Sequence, residues 1–327
     1  MIILALLITF LCFFFVRKSN SFILSKQRCD ILKAFFPFLI IIHHISFRTH
    51  NPFIFDFRYF GPYIVGIFFF ISGYGLEYKA GKGDVNFSSF LRRMKSLIIP
   101  VLFPIILYCS LTFPNESNST EKVLVELKNC SLYLPFSWFV IVLALLYGLF
   151  YIMRPRFKPV VAYIVLFLSV TALRGVFVKM GITTTCVISN YAFLVGILFR
   201  SFETRLMEKY RERYLVIIYA VIFLAISFMY IGGRPIVHGI AFVAVPFYVF
   251  TFFMLYSYIP TTPVTNLPVI NYLKNISYEM YLCQGITFFV LDMFSIQNIF
   301  MYTCLVFALN IPLAFVMRRL TNIVFFR

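Results

Sequence analysis

Residues 29–46, with the sequence CDILKAFFPFLIIIHHIS, decide how the rest of the chain is interpreted. Most of this stretch is apolar enough to cross a membrane, yet it also contains an aspartate, a lysine and two adjacent histidines. Ionisable side chains inside a membrane span usually face the interior of a helix bundle or a water-filled cavity, because their exposure to lipid is costly. The stretch is therefore predicted to be a transmembrane helix that carries a functional site.

Helical periodicity places Lys33 and His44 on one face of this helix. Their separation corresponds to about three turns plus 20°, or about 16 Å along the axis, whereas His43 points about 100° away from His44. Pro37 removes the N–H that would bond the Lys33 carbonyl, so a kink is expected there. A pair of structural histidines with a lysine that snorkels toward the membrane surface is the alternative, and both interpretations remain open from these residues alone.

The composition is that of a membrane protein with several spans. The 327 residues are 61% hydrophobic and 13% charged, against about 45–50% apolar and 25% charged in soluble domains. The net charge of +17 is explained by basic cytoplasmic loops next to anionic lipid headgroups. Nucleic-acid binding is therefore not expected.

The seven cysteines are scattered along the chain. None of them forms a C-x-x-C pair or a His/Cys cluster with the spacing of a zinc site. Neither a metal site nor a disulfide framework is expected.

Apolar segments of spanning length recur along the whole chain. A leading segment covers residues 1–16, and ten core segments follow at about 31–47, 62–78, 97–113, 136–153, 160–174, 184–199, 214–231, 236–257, 275–293 and 297–317. The predicted fold is an all-α, polytopic transmembrane helix bundle with ten core helices and one extra N-terminal helix. Residues 1–28 would form that extra helix and a cytoplasmic link, and residues 29–327 would form one transmembrane domain.

The basic residues indicate the orientation of the helices. Alternate loops and ends hold 21 Lys and Arg residues, and the opposite set holds 7. By the positive-inside rule the first set is cytoplasmic, which puts the N-terminus outside and the C-terminus in the cytoplasm.

Four short motifs occur in order along the chain. The first runs from Asp30 as D-x-L-K-A-F, apolar residues and I-H-H, and the second is IFFFISGYGL at residues 67–76. Trp138-Phe139 opens a later apolar span, and ISYEMYL occupies residues 276–282. Together they resemble the acyltransferase 3 family of integral-membrane acyltransferases, over about residues 30–318.

The resemblance implies specific site residues. The family's basic residue, ten intervening residues and histidine fall on Lys33 and His44, which become the candidate catalytic residues. Its Phe-Phe-x-x-Ser-Gly motif falls on Phe68, Phe69, Ser72 and Gly73. The chain departs from many members at three positions, which are Gly66 in place of an acidic residue, Gln284 in place of a histidine and Leu97 in place of a basic residue.

Acyl transfer to a hydroxyl needs a base within hydrogen-bond reach of that hydroxyl and stabilisation of the oxyanion. His44 can be that base, and it is expected near the middle of a hydrocarbon layer about 30 Å thick, with Lys33 near the cytoplasmic mouth. The resemblance implies an acyl-CoA donor, most often acetyl-CoA, and a carbohydrate hydroxyl of an envelope or exported glycan as acceptor, in a bacterial plasma membrane. Nothing in the sequence specifies an oligomeric state.

Several other residues are secondary candidates. The densest basic patch consists of Lys79, Lys82, Arg92, Arg93 and Lys95. Such a patch suits the phosphates of coenzyme A, with Arg92, Arg93 and Lys95 as the candidate residues, although charge that merely sets the topology is the alternative. Asp30 could pair with Lys33 on one helix face.

The remaining candidates are His43, Ser72 and His238. His43 would act through helix packing. Ser72 and Gly73 could let helices approach closely, and no G-x-S-x-G elbow supports Ser72 as a nucleophile. His238 could line the acceptor path, with a capping or interfacial role as the alternative.

Two rival functions fit the same residues. A glycan or lipid-intermediate transporter or flippase would use Lys33 and His44 as gating or proton-relay groups. The inverted repeats and broken helices of many transporters are not visible in the sequence. A catalytically silent partner in polymer export is the second rival.

Overall fold

The computed structural model describes residues 24–112, 125, 132–182, 185–209, 218–226, 241–257 and 267–325. Within these residues the secondary structure is helical and contains no strand, which confirms the predicted all-α class. The extra N-terminal helix predicted at residues 1–16 lies outside the described residues, as does most of the loop at 115–131.

Nine long helices account for most of the described residues. They are α1 (Lys26–Ser46), α2 (Gly61–Ala80), α3 (Phe87–Thr112), α4 (Trp138–Met153), α5 (Pro159–Lys179), α6 (Asn190–Lys209), α7 (Ala241–Tyr256), α8 (Pro268–Asp292) and α9 (Ile299–Phe325). Shorter helical pieces cover Pro52–Phe55, the 3-10 turn Asp56–Tyr59, Thr185–Ile188 and residues 218–226.

The lengths and apolar character of these helices are those of a membrane protein. Among the described residues, α1, α3, α5 and α9 are long and apolar enough to cross a bilayer, and α4 and α7 are apolar but shorter. Large apolar side chains such as Val160, Ile164 and Leu168 on α5 are exposed. Such faces are stable where lipid surrounds them in place of water.

The helices group into two compact units. The first unit comprises the described parts of residues 1–83 and 188–274, and contains α1, α2, α6, α7 and the start of α8. The second unit comprises those of residues 84–187 and 275–327, and contains α3, α4, α5, α9 and most of α8.

In the first unit, α2 and α6 run side by side in the same direction. At one end the Ser189 hydroxyl donates to the Pro62 carbonyl at 2.8 Å. Near the other end the Tyr74 hydroxyl donates to Glu203 Oε2 at 2.7 Å. The parallel direction agrees with the predicted alternation, in which both segments run from outside to inside.

Two glycines allow the backbones of α2 and α6 to meet. A Cβ at Gly73 would overlap the Phe193 carbonyl of α6, and a Cβ at Gly196 would overlap the Phe70 carbonyl of α2. Small residues permit such close approach in membrane bundles. The contact explains why the Ser-Gly motif requires glycine at position 73.

Helix α7 packs on α1 and α2 through aromatic side chains. Phe70 stacks on Phe253 with ring centroids 4.0 Å apart, and Phe36 of α1 meets Phe252 edge-on at 6.0 Å. Together with the glycine contact, these rings give the first unit a continuous apolar core.

In the second unit, polar contacts tie α8 to its neighbours. The Tyr278 hydroxyl donates to the Leu97 carbonyl of α3 at 2.7 Å, and the Tyr281 hydroxyl donates to the Phe136 carbonyl just before α4. Asn310 Nδ2 of α9 donates to the Met280 carbonyl at 3.2 Å. The tyrosines of the ISYEMYL motif therefore serve to fix helices.

Alanine at Gly73 or at Gly196 is expected to destabilise the protein by roughly 1–3 kcal/mol, the usual cost of forcing atoms into a filled space. The measurement is the thermal unfolding midpoint of the purified protein in detergent. Gly148→Ala and Gly175→Ala are the controls, because an added Cβ at either position meets nothing within 4 Å. The unfolding midpoints of these controls should equal or slightly exceed that of the wild type, since alanine favours a helix. Equal midpoints for all four variants would contradict the proposed backbone contact.

Candidate active site

Helix α1 carries both predicted catalytic residues without interruption. It continues through Pro37 and ends at Ser46, so Lys33 and His44 lie on one helix as predicted. Lys33 is exposed and His44 is half-buried. His44 lies in the last turn of α1, two residues before the helix ends.

His43 is held by the backbone of another segment. Its side chain is 8% exposed, and Nδ1–H donates to the Phe57 carbonyl at 2.9 Å. Because a carbonyl can only accept, Nδ1 carries the proton. The ring also lies directly against Gly61, at the first turn of α2, where no Cβ would fit. His43 therefore joins α1 to the turn that precedes α2, as its predicted packing role requires.

The last turn of α1 is capped by Arg58. Arg58 Nη2 donates to the Ser46 carbonyl at 3.1 Å, and its guanidinium carbon lies 3.7 Å from the ring centroid of Phe55. A cation at the carboxyl end of a helix opposes the negative end of the helix dipole. The Asp56–Tyr59 turn thus supplies two bonds to α1, one from Arg58 and one through the Phe57 carbonyl, and together they fix the turn that carries His44.

The other end of α1 is fixed by Arg28. The residue is 4% exposed and donates through Nη1 to the Tyr256 carbonyl at the end of α7. The Tyr256 hydroxyl returns a hydrogen bond to the Arg28 carbonyl at 3.1 Å. The guanidinium thus meets the carboxyl end of α7, where its charge is favourable.

Asp30 pairs with a residue that the sequence pattern did not indicate. Its Oδ2 lies 2.9 Å from Lys274 Nζ, in the first turns of α8. The structure thereby corrects the suggestion that Asp30 pairs with Lys33. Lys33, three residues along the same helix, is not the partner, because Lys274 of another helix lies within ion-pair distance.

The Phe-Phe-x-x-Ser-Gly stretch forms the middle of α2. Ser72 is half-buried and Phe69 is fully buried. Gly66, where many relatives have an acidic residue, lies against α7: an added Cβ would be 2.8 Å from Val245 Cγ1 and 3.0 Å from Val249 Cγ2. A carboxylate at this position would require α7 to move. Glycine at position 66 therefore fits the packing of the first unit.

The predicted coenzyme A residues lie in the first turns of α3, in the second unit. Arg92 and Lys95 are exposed and Arg93 is partly exposed. Arg92 Nη2 is 3.9 Å from Asp84 Oδ1, and the Arg93 guanidinium lies 5.6 Å from the Tyr147 ring centroid. A bound anion could therefore reach these cations.

Gln284 and Leu97, the other two departures, are both buried in the second unit. Neither polar atom of the Gln284 side chain has a hydrogen-bond partner among the described residues. Glu279, in the same helix, is 1% exposed and pairs through Oε1 with Arg318 Nη1 at 3.1 Å.

Two further points of the sequence analysis concern His238 and metal binding. His238 lies outside the described residues. Among the residues that are described, no group of three or more His, Cys, Asp or Glu side chains could hold a metal ion.

Sequence reasoning missed Arg28, Arg58 and the pair formed by Arg200 and Glu203. Arg200 Nη1 lies 2.9 Å from Glu203 Oε2, and this carboxylate is only 1% exposed. The available signal was the spacing of three residues between Arg200 and Glu203, which allows an ion pair on one helix face.

Comparison with known families gives one match. The model of the acyltransferase 3 family, described as an acyltransferase domain, matches residues 27–319. The match begins in the first turn of α1 and ends within α9, so it includes residues of both units. Comparisons with curated proteins and with solved structures return no match.

Replacement of Arg58 by methionine is expected to lower the free energy of unfolding by about 1.5–3 kcal/mol, as for other hydrogen bonds to charged groups. Methionine retains much of the apolar stem and removes the donor to the Ser46 carbonyl. Thermal unfolding in detergent measures the change, and Arg319→Met is the control because Arg319 is exposed near the end of α9. If both variants unfolded at the wild-type temperature, the cap would contribute nothing to stability.

Proposed function

The chain belongs to the acyltransferase 3 family and is a membrane acyltransferase, and from this premise we propose that it acylates a carbohydrate hydroxyl of a cell-envelope or exported polysaccharide. The proposed donor is cytoplasmic acyl-CoA, with acetyl as the transferred group. The donor and the acceptor follow from the family resemblance, whereas the roles of individual residues are supported by the geometry of α1.

The difference between the two adjacent histidines carries the proposal. His43 is engaged by the Phe57 carbonyl and packed against Gly61. His44 is more exposed, and it shares a helix face with Lys33 at the spacing found in the family. These observations favour His44 as the base and His43 as the residue that fixes the helix.

The proposed reaction exchanges a thioester for an ester. The acceptor hydroxyl gives its proton to the neutral imidazole of His44 as the hydroxyl oxygen forms a bond to the acyl carbonyl carbon. Collapse of the tetrahedral intermediate breaks the carbon–sulfur bond, and the departing thiolate receives the proton. Atoms and charge balance without a metal or a redox partner.

Lys33 is proposed to hold the donor. It lies about 16 Å from His44 along α1, at the end of the helix that the charge pattern assigns to the cytoplasm. An exposed ammonium there can bind an anionic or carbonyl oxygen of the acyl-CoA. Arg92, Arg93 and Lys95, in a segment that the charge pattern also assigns to the cytoplasm, are proposed to attract the donor phosphates.

The proposed setting is a bacterial plasma membrane with the C-terminus in the cytoplasm. Residues 29–327 would form the acyltransferase domain, and residues 1–28 an extra helix and its link. In this orientation the last turn of α1, with His44, faces the outer side, where a glycan acceptor is available.

His44→Asn is expected to reduce acyl transfer by about 10²–10⁴-fold, the usual effect of removing a general base, with normal protein abundance in the membrane. The measurement is the ester content of the surface glycan, together with the amount of glycan, in cells that carry each variant. His50→Asn is the matched control, because His50 is exposed and lies beyond the end of α1. A wild-type rate from an abundant His44→Asn protein would refute the proposed base, and loss of the glycan itself would favour export.

Lys33→Ala is expected to raise the KM for the donor, and Lys33→Arg, which keeps the charge, is expected to preserve most activity. Initial rates at varied acyl-CoA concentration, in membranes that contain equal amounts of protein, measure both effects. Lys26→Ala is the control, because Lys26 is exposed in the first turn of the same helix. If Lys33→Ala left the KM for the donor and the rate unchanged, this lysine would serve only as an anchor at the membrane surface.

A further inference from the structure

Two cations converge on one exposed aromatic ring in the first unit. Tyr78 lies in the last turn of α2 and is 38% exposed. Lys82 Nζ is 4.5 Å from the centroid of this ring, and the Arg200 guanidinium carbon is 5.1 Å from it. Both distances are within the range of a cation–π interaction. The contact between α2 and α6 brings these three residues together.

Arg200 is held in place from its other side. Nη1 binds Glu203 Oε2 at 2.9 Å, and the same oxygen accepts the Tyr74 hydroxyl at 2.7 Å. The Glu203 side chain is 2% exposed, whereas that of Arg200 is 22% exposed. The buried carboxylate thus fixes the guanidinium, and the Arg200 side chain as a whole keeps partial exposure.

Lys82 adds a second positive charge. It follows the end of α2 at Ala80 and is exposed. Within the part of the chain that the structure describes, Lys82 has no ion-pair partner. Glu203 balances only one of the two cations, so the cluster keeps a net positive charge that attracts an anion.

We propose that Tyr78, Lys82 and Arg200 form a phosphate-binding site, and that its ligand is the phosphorylated nucleotide end of the acyl-CoA donor. The choice of ligand rests on the proposed function. Arg200 supplies a guanidinium that Glu203 holds in place, and Lys82 supplies a mobile point charge; both cations attract phosphate oxygens. The exposed part of the Tyr78 ring offers a flat apolar surface to the base.

The experiment measures coenzyme A binding to the purified full-length protein in nanodiscs of zwitterionic lipid. Lys82→Gln is the principal variant, because the residue is exposed and its replacement leaves no buried charge unpaired. The expected result is a rise in Kd of about tenfold, equivalent to about 1.4 kcal/mol. Arg205→Gln is the matched control, because Arg205 is exposed on the same helix as Arg200, and its Kd should equal that of the wild type.

A second set of variants tests the ring and the guanidinium. Tyr78→Phe keeps the ring and should bind coenzyme A more tightly than Tyr78→Leu, which removes the ring. Arg200→Gln alone would leave Glu203 buried without its cation, so Arg200→Gln is combined with Glu203→Gln to remove both charges. The double variant should bind coenzyme A at least tenfold more weakly while its thermal midpoint shows that it is folded.

Two further arms separate the sources of phosphate. Adenosine 3′,5′-bisphosphate should compete with coenzyme A, and its binding should show the same dependence on Lys82. Nanodiscs with added anionic lipid test the alternative that the cluster binds a lipid headgroup. If Lys82→Gln changed the retention of anionic lipid but left the Kd for coenzyme A unchanged, the inference would be overturned. If the wild-type protein bound no coenzyme A, the proposed donor would be wrong. If the wild-type protein and Lys82→Gln bound coenzyme A with the same Kd, only the proposed site would be overturned.

Discussion

The pairing of buried polar groups at both ends of α1 is the constraint on which the candidate site depends. In an apolar environment an unpaired donor or charge is costly, so each polar side chain on the packed side of α1 needs a partner from another element. Arg28 donates to a carbonyl of α7, and Asp30 pairs with a lysine of α8. His43 donates to a carbonyl in the turn before α2. The helix that carries Lys33 and His44 is thereby fixed in position and rotation by bonds that those two residues do not make.

The close contact of α2 and α6 has a comparable consequence for the rest of the first unit. Because Gly73 and Gly196 remove side chains from both sides of the contact, the two backbones approach and their remaining side chains interdigitate. Tyr74 then reaches Glu203, and Arg200 reaches Tyr78. A buried ion pair of this kind is weak evidence for stability, yet it does orient a guanidinium beside an exposed ring. The glycine contact therefore affects more than packing, because it also determines which polar and charged side chains lie close together.

The sequence predicted local features well and distant pairings poorly. The all-α class, the span that begins before Lys33 and the need for glycine at position 73 follow from composition, hydropathy and side-chain size, which are properties of short stretches. The pairing of Asp30 with Lys274 involves helices far apart in the chain, and the spacing rule for a single helix suggested Lys33 instead. The hydrogen bond from Arg58 to the Ser46 carbonyl at the end of α1 was not predicted either. Such contacts depend on how helices pack, which hydropathy does not encode.

Adjacent histidines on a helix cannot serve one cavity together, since they point about 100° apart. The structure gives them different surroundings: a backbone carbonyl fixes one ring nitrogen of His43, whereas the His44 ring lies 4.8 Å away, centroid to centroid, on a less buried side of the helix. A base must have an unprotonated ring nitrogen that a substrate can reach. In His43, Nδ1 is used by Phe57 and Nε2 lies against Gly61. The surroundings of both His43 nitrogens therefore support the proposal that His44, and not His43, is the base.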